Sequence, residues 1–394
     1  MTLSILVLAI ALLSLAIWLG LIFARGQFWQ ANQRLSADNL PVLDPYPAVC
    51  AIVPARDEAD LLPQTLPSLL AQTYPGQFRV ILADDRSTDG TADLARAIAA
   101  ESLTPLQVLT VAPLPAGWTG KLWAVEQGFQ AVTSGEFIPD YLWLTDADIA
   151  HAPDELQRLV AQAVGDRRDL VSLMVRLRCQ SFWEQLLVPA FVFFFQKLYP
   201  FPWVNQPGHS LAAAAGGCIL VRRDALTQIG GIGAIRQALI DDCALAQAIK
   251  SNPRSPQSGR IWLGLTTATH SLRPYDSLAT LWDMVARTAY TQLHYSPLLL
   301  LGTILGMGLI YLVPPVGLGL GLLLGDGRVA IASGLAWLLM AIAYAPTLRL
   351  YQRSPLWAVG LPAIASLYTL MTLDSARRHW QGRGGAWKGR VYSA

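Results

Sequence analysis

The run Tyr141-Leu142-Trp143-Leu144-Thr145-Asp146-Ala147-Asp148 constrains the fold most, because an apolar stretch of strand length ends abruptly in two carboxylates one residue apart. Its apolar residues do not alternate with polar ones, so the strand is predicted to be covered on both faces, as in a sheet flanked by helices. The carboxyl end of such a strand opens on the rim where open α/β sheets bind ligands. Two acidic side chains placed together there suit a hard divalent cation, magnesium or manganese. The same residues could form only a turn and a helix cap, since His151-Ala152-Pro153-Asp154-Glu155-Leu156 reads as a helix start. The rest of the chain decides between these readings.

Upstream the pattern recurs. A strand over Ala48 to Val53 runs into Pro54-Ala55-Arg56-Asp57-Glu58-Ala59, a helix follows over Leu61 to Gln72, and a second strand over Phe78 to Ala83 runs into Asp84-Asp85-Arg86-Ser87-Thr88-Asp89-Gly90-Thr91. A helix over Ala92 to Glu101, a strand over Leu106 to Thr110 and a helix over Leu122 to Val132, just after Lys121, lead to the opening strand. This alternation predicts an α/β fold with a mostly parallel sheet and right-handed crossovers. Downstream, Leu170 to Val175 reads as a strand, and Cys218 to Arg223 as another entered through the small residues Ala212 to Gly217. Asp241-Asp242 then opens a helical segment over Ala244 to Lys250. No GxGxxG follows the first strand and no GxxxxGK[ST] occurs, which excludes dinucleotide-binding and Walker-type readings.

Residue chemistry narrows the ligand. Asp84 and Asp85 at a strand end can accept hydrogen bonds from a base or ribose, Arg56 and Lys121 can neutralise phosphate, and Asp146 with Asp148 can hold a metal against a diphosphate. Each group alone also has a bland role as a turn, a cap or a surface charge, and Asp241-Asp242 could be an N-cap pair favoured by the helix dipole. Converging on one rim, they describe a nucleotide-diphosphate site.

Composition adds a second layer. Of 394 residues 53% are hydrophobic and only 14% charged, an excess concentrated in Leu3 to Phe23 and Pro297 to Leu373. A net charge of +2 with no basic face in the middle argues against nucleic acid as a partner. Cys50, Cys179, Cys218 and Cys243 show no CxxC spacing and read as reduced, mostly buried cytosolic thiols. The expected organisation is a transmembrane anchor (1–24), a proline-rich linker (25–46), the α/β domain (47–275), an interfacial segment (276–296), transmembrane helices (297–373) and a basic tail (374–394). Within the domain, 183–203 suits equally a helix in the membrane interface or a buried core helix. Arg25 and Arg34 after the first span put the α/β domain in the cytoplasm. A proline-broken pair or re-entrant hairpin over Pro297 to Gly325 would return the basic tail there too, leaving Arg349 and Arg353 outside.

Pro54-Ala55-Arg56-Asp57-Glu58, Asp84-Asp85-Arg86-Ser87-Thr88-Asp89-Gly90-Thr91 and Asp146-Ala147-Asp148 resemble the successive motifs of family 2 inverting glycosyltransferases, whose nucleotide-sugar domain has the fold called GT-A. More narrowly, Leu114 to Ala124, Phe191 to Phe195, Ala212 to Cys218 and Leu239 to Cys243 resemble the bacterial hopene-associated glycosyltransferases, and the chain is similar also to ceramide glucosyltransferases. The resemblance implies a multi-pass enzyme of the bacterial inner membrane. It would move a sugar from a nucleotide-diphosphate sugar, a UDP-sugar, to a lipid acceptor such as a hopanoid or another membrane lipid. Pro54, Ala55, Arg56, Glu58, Asp84, Asp85, Lys121, Asp146, Gly216 and Gly217 would bind the donor, and Asp146 and Asp148 the divalent metal. Asp242 would be the catalytic base, beside Asp241 where the family usually has glutamate.

Trp282 to Tyr290 resembles the place of the (Q/R)xxRW motif of processive relatives. Arg287 matches its first position, but Tyr290 and Thr291 replace the Arg-Trp pair, which favours single-sugar transfer. His270 and His294 read either as aids to diphosphate departure or as structural residues. The rival readings are a processive polysaccharide synthase, a nucleotidyltransferase and a non-catalytic membrane scaffold. A nucleotidyltransferase would need a basic, glycine-rich loop after the first strand, and Pro54 to Glu58 is not one.

Overall fold

The computed structural model describes residues 2–35, 42–252, 259–384, 386–387 and 390–391. The middle of the expected linker and part of the basic tail, including Lys388, lie outside the described residues. An N-terminal apolar helix, α1 (Thr2–Ala24), leads to β1 (Val49–Ala55), α2 (Leu62–Leu70), β2 (Phe78–Asp84), α3 (Thr91–Ala100), β3 (Leu106–Thr110), α4 (Gly120–Thr133) and β4 (Tyr141–Thr145). Then come β5 (Ile149–Ala150), α5 (Glu155–Gly165), β6 (Leu170–Arg176), α6 (Phe182–Leu198), α7 (Phe201–Asn205), β7 (Cys218–Arg222), α8 (Arg223–Gln228), α9 (Asp241–Lys250) and β8 (Ile261–Ser271). The eight strands form one sheet in the order β3-β2-β1-β4-β7-β6-β8-β5.

In this sheet β1 pairs in parallel with both β2 and β4, and β2 in parallel with β3, as the alternation of strands and helices predicts. Beyond β4 the sheet turns mixed: β7 runs antiparallel to β4 and β6, and β8 runs parallel to β6 and antiparallel to β5. All residues of β1 and β4 are buried, which matches their unbroken apolar sequence. The carboxyl ends of β1, β2 and β4 therefore share one rim, on which Arg56, Asp85 and Asp146 follow directly.

α6 is fixed by a capping box, in which Ser181 Oγ accepts from Glu184 N at 3.2 Å and Glu184 Oε2 accepts from Ser181 N at 2.8 Å. The Glu184 carboxylate also accepts from Tyr275 N and from Arg178, both at 2.7 Å, so it ties the loop after β8 to α6. The inner face of α6 lies against the later apolar helices, with Phe193 against Tyr344 and Phe194 against Tyr311 and Tyr368. Phe182 and Leu198 at its ends stay exposed.

After β8 come α10 (Leu278–Ala286), α11 (Pro297–Met307), α12 (Val313–Leu323), α13 (Gly327–Leu350) and α14 (Leu361–Trp380). Among the described residues four helical runs are long and apolar enough to cross a membrane: Ser4–Ala24, Pro297–Leu323, Gly327–Leu350 and Pro355–Trp380. The expected hairpin over Pro297 to Gly325 is not formed. A π-helical turn, Gly308–Leu312, joins α11 to α12 and places Pro314 and Pro315 in the first turn of α12, where a missing N–H costs little, so the helix continues. Ser14 Oγ and Trp18 Nε1 on α1 donate to the carbonyls of Leu309 and Ile310 in that turn, each at 2.8 Å.

The polarity of these helices follows from their contacts. Ser4 Oγ at the start of α1 donates to Asp326 Oδ2 in the α12–α13 turn at 2.6 Å, so both lie at the end remote from the sheet. α13 returns, and its last residue is followed by Tyr351, whose hydroxyl accepts from Leu177 N in the α/β domain at 3.3 Å. The final run then rises only part way, since Trp337 Nε1, near the middle of α13, donates to Val359 O at 3.3 Å. It descends as α14 to the sheet side, where Asp374 accepts from Trp282 Nε1 at 2.8 Å and Arg378 donates to Asp283 at 2.7 Å. Arg349, Arg353, Arg377 and Arg378 thus lie at the ends of these helices that face the sheet.

Candidate active site

Lys121 stands at the centre of the site. It lies in the first turn of α4, where the helix dipole disfavours a cation, and two carboxylates offset that cost. Its Nζ is 2.9 Å from Asp146 Oδ1 and 3.2 Å from Asp241 Oδ2, so one ammonium bridges the acidic end of β4 and the start of α9. Burial works against its charge, but Asp146 and Asp241 outweigh it and raise the Lys121 pKa.

Asp242 sits beside this bridge. Its Oδ2 accepts from Gly216 N at 2.8 Å and its Oδ1 from Cys243 N at 2.7 Å. A side chain at position 216 would meet Lys121 Nζ at 3.3 Å and Asp242 Oδ2 at 3.4 Å, so glycine there lets the strand approach both groups. Burial, reinforced by the neighbouring Asp241 carboxylate and opposed by Lys121, pushes Asp242 up to about 6. That places it where general bases work near neutral pH. α9 begins at Asp241, a turn earlier than expected, so the acidic pair is at once a favourable first helical turn and part of the site.

A small open cleft is lined by Pro54, Lys121, Asp146, Gly216, Asp241 and Asp242 over an apolar floor that includes Leu144, Ile219 and Ile235. One ammonium against three carboxylates leaves it net negative, so a diphosphate would need an accompanying cation. Asp146 and Asp148 fit that cation by donor type, as adjacent hard carboxylates. Among the described residues no group of three or more His, Cys, Asp or Glu side chains converges as a metal site, so diphosphate and water oxygens would complete the coordination.

Asp148 is buried behind the cleft, and its Oδ2 accepts from Ser271 Oγ at 2.8 Å and pairs with Arg273 Nε at 3.3 Å. Arg273 also donates to both Glu58 oxygens, at 2.7 and 3.0 Å. This arginine clamps the loop after β1 to the acidic loop after β4. The sequence places Arg273 after a strand but gives no sign of that role. The signal exists only in the fold, where β8 returns beside β5.

The polar end of β2 is separate from this cleft. Asp84 and Asp85 are buried at the end of β2, Arg56 Nη1 donates to the Asp85 carbonyl at 2.7 Å and lies 3.5 Å from its carboxylate, and Asp84 Oδ1 has no partner among the described residues. Arg56 is therefore committed to Asp85 rather than to the cleft around Lys121. Ala55 contributes its carbonyl, which accepts from Asp85 N at 2.8 Å. Gly217 serves packing, since a side chain there would meet Val175 at 3.1 Å, and its carbonyl accepts from Thr145 Oγ1 at 2.9 Å.

His270 and His294 do not line the cleft. Tyr290 is buried and packs against Tyr295, His379 and Trp380, away from it. All four cysteines are free, with Cys50 and Cys218 buried and Cys179 and Cys243 half-buried.

Residues 50–230 match the family described as Glycosyl transferase family 2. Over 129 residues the chain is 31% identical to an undecaprenyl-phosphate 4-deoxy-4-formamido-L-arabinose transferase of Pseudomonas fluorescens, a match covering 31% of this chain and 34% of that protein. The chain thus spans about a third of the length of the curated relative it matches. A mannosyltransferase, PcManGT, of Pyrobaculum calidifontis, solved in complex with GDP-Man and Mn2+, shares the fold with a TM-score of 0.53 at 17% identity, covering 94% of this chain and 98% of that one. The rim of acidic strand ends, its order along the chain and these matches agree: residues 50–230 carry a glycosyl transferase family 2 domain on the GT-A fold.

Proposed function

We propose that the protein is a multi-pass enzyme of the bacterial inner membrane that transfers one sugar, with inversion, from a UDP-sugar to a membrane lipid. The observation that carries this reading is the Asp146–Lys121–Asp241 bridge with Asp242 beside it, which joins donor and base groups in one cleft. Asp84 and Asp85 hold the nucleoside, and Lys121 neutralises the departing diphosphate. A divalent cation held by Asp146 and Asp148 would supply further charge stabilisation of that diphosphate. Asp242 takes the proton of the attacking lipid hydroxyl as the oxygen bonds to the anomeric carbon and the bond to diphosphate breaks. Attack on the face opposite the leaving group inverts the configuration. A hopanoid polyol or a phospholipid with a headgroup hydroxyl fits this scheme as written; a lipid monophosphate, the acceptor class in the relative's name, would attack through an ionised phosphate oxygen and rely less on Asp242. The test is to incubate purified protein with labelled nucleotide sugars and bacterial lipids: label should enter the organic phase, and label found only as free sugar would reject lipid transfer.

The titration of Asp242 gives a second expected result. The rate constant kcat/KM should fall as pH drops below about 6, because protonated Asp242 cannot accept a proton. The Lys121 cation lowers that pKa, so Lys121→Met should move the acidic limb of the profile to higher pH as well as slow the reaction. A limb that stays in place in the variant would separate Lys121 from the base.

We infer that α1, the α11–α12 run and α13 cross the membrane and that Pro355–Trp380 does not. A fluorescent protein fused to the C-terminus should then glow in the cytoplasm, while alkaline phosphatase fused after Asp326 should be active in the periplasm. An active phosphatase at the C-terminus would overturn this topology.

A further inference from the structure

Where the sheet meets the helices, most half-buried arginines pair with carboxylates, Arg25 donates to the carbonyls of Lys197 and Leu198, and two others have neither kind of partner among the described residues. Arg178 pairs with Glu184 and Asp276, Arg273 with Glu58 and Asp148, and Arg378 with Asp374 and Asp283. Arg176, the last residue of β6, and Arg353, in the turn after α13, are half-buried and meet no carboxylate among the described residues. The Nε of Arg353 is buried without any hydrogen-bond partner. Each guanidinium lies over an aromatic ring instead, Arg176 over Tyr351 at 5.9 Å and Arg353 over Trp357 at 6.0 Å. Both act on the thiol of Cys179, so they share one neighbourhood. A half-buried guanidinium without a counter-ion is costly, and two together are costlier.

The position of the pair names its counter-ion. Tyr351 and Trp357 flank the turn where α13 ends and the final run begins, the level at which aromatic residues mark a bilayer surface. Towards the catalytic side, Arg176 lies opposite His270 in the β6–β8 ladder. Burial and the adjacent Arg176 keep the His270 pKa low, so the histidine stays neutral and is no counter-ion. The next residue on β8, Ser271, is the one that donates to Asp148. The pair therefore sits between the bilayer rim and the acidic loop, where an acceptor must pass.

We propose that Arg176 and Arg353 form a binding site for the phosphate of the acceptor lipid. The inference rests on the lipid-transfer reading above and adds the chemical class of the acceptor. Guanidinium forks match phosphate oxygens, and the aromatic rings beside them suit a ligand that stays in the bilayer while its phosphate is bound. A lipid monophosphate and a phosphodiester lipid with a headgroup hydroxyl both present this chemistry.

The test uses the full chain in detergent, titrated with farnesyl phosphate and with dioctanoyl phosphatidylglycerol, against farnesol and dioctanoylglycerol as phosphate-free counterparts. At least one phosphate lipid should bind better than its counterpart, and which one does identifies the source of the phosphate. R176Q and R353Q should each weaken that binding about tenfold or more, with R353K retaining part of it, while UDP affinity and melting temperature stay unchanged. Equal binding of phosphate and phosphate-free lipids, or phosphate-lipid binding that survives both substitutions, overturns the site. If wild type and both variants transfer sugar to bacterial lipids with the same KM for lipid, lipid transfer stands and the phosphate site alone falls.

Discussion

Asp242→Asn should lower the turnover number by on the order of a hundredfold or more, about 3 kcal/mol of transition-state stabilisation, while the affinity for nucleotide sugar changes little. Asparagine keeps the shape of the side chain and can still accept from Gly216 N, which the native Oδ2 does at 2.8 Å, so α9 and the strand start should stay in place. Only the proton acceptor is lost. The neighbouring Asp241 is held by Lys121 at 3.2 Å and is poorly placed to substitute. Asp241→Asn should therefore act mainly through Lys121, with a smaller loss of turnover. Full activity in Asp242→Asn with none in Asp241→Asn would shift the base by one residue. The size of the loss also reports the attacking group, because a lipid monophosphate already carries an ionised oxygen and would lose less than tenfold.

The second large effect is expected at Asp148. Its carboxylate is oriented by Ser271 and Arg273, an arrangement of the kind that supports a metal-binding carboxylate, and it is buried behind the cleft. Asp148→Asn should weaken manganese-dependent UDP binding by roughly ten- to a hundredfold, measured by calorimetric titration with and without the metal. It should also leave Arg273 facing Glu58 alone, so some loosening of the loop after β1 is expected. Unchanged manganese-dependent binding would remove Asp148 from the metal site.

The strands of this domain were legible because β1, β4 and the last five residues of β2 are buried and read as apolar runs that stop at charged residues. The acidic groups at their ends, and Asp241-Asp242 at the start of α9, were legible for the same reason, since the order of elements brings them to one rim. Three features were not. Arg273 depends on the register of β8 beside β5, which no local pattern encodes. The commitment of Arg56 to Asp85 depends on how two adjacent strand ends face each other. The path of the proline-containing apolar helices was the third, because hydropathy reports composition. What decides the path is a π-helical turn that admits Pro314 and Pro315 and a hydrogen bond from Trp337 to Val359. Arg349 and Arg353, expected on the far side, lie with Arg377 and Arg378 at the helix ends that face the sheet.

The central claim is single, inverting transfer to a lipid by the cleft around Lys121 and Asp242. It is tested most directly by mass spectrometry and proton NMR of lipids recovered after incubation of the full chain with a UDP-sugar and bacterial membrane lipids. The account predicts one lipid product carrying one added sugar, with the anomeric configuration opposite to that of the donor, and loss of that product in Asp242→Asn. A ladder of products with successive sugars, a retained configuration, or an undiminished yield from Asp242→Asn would contradict it.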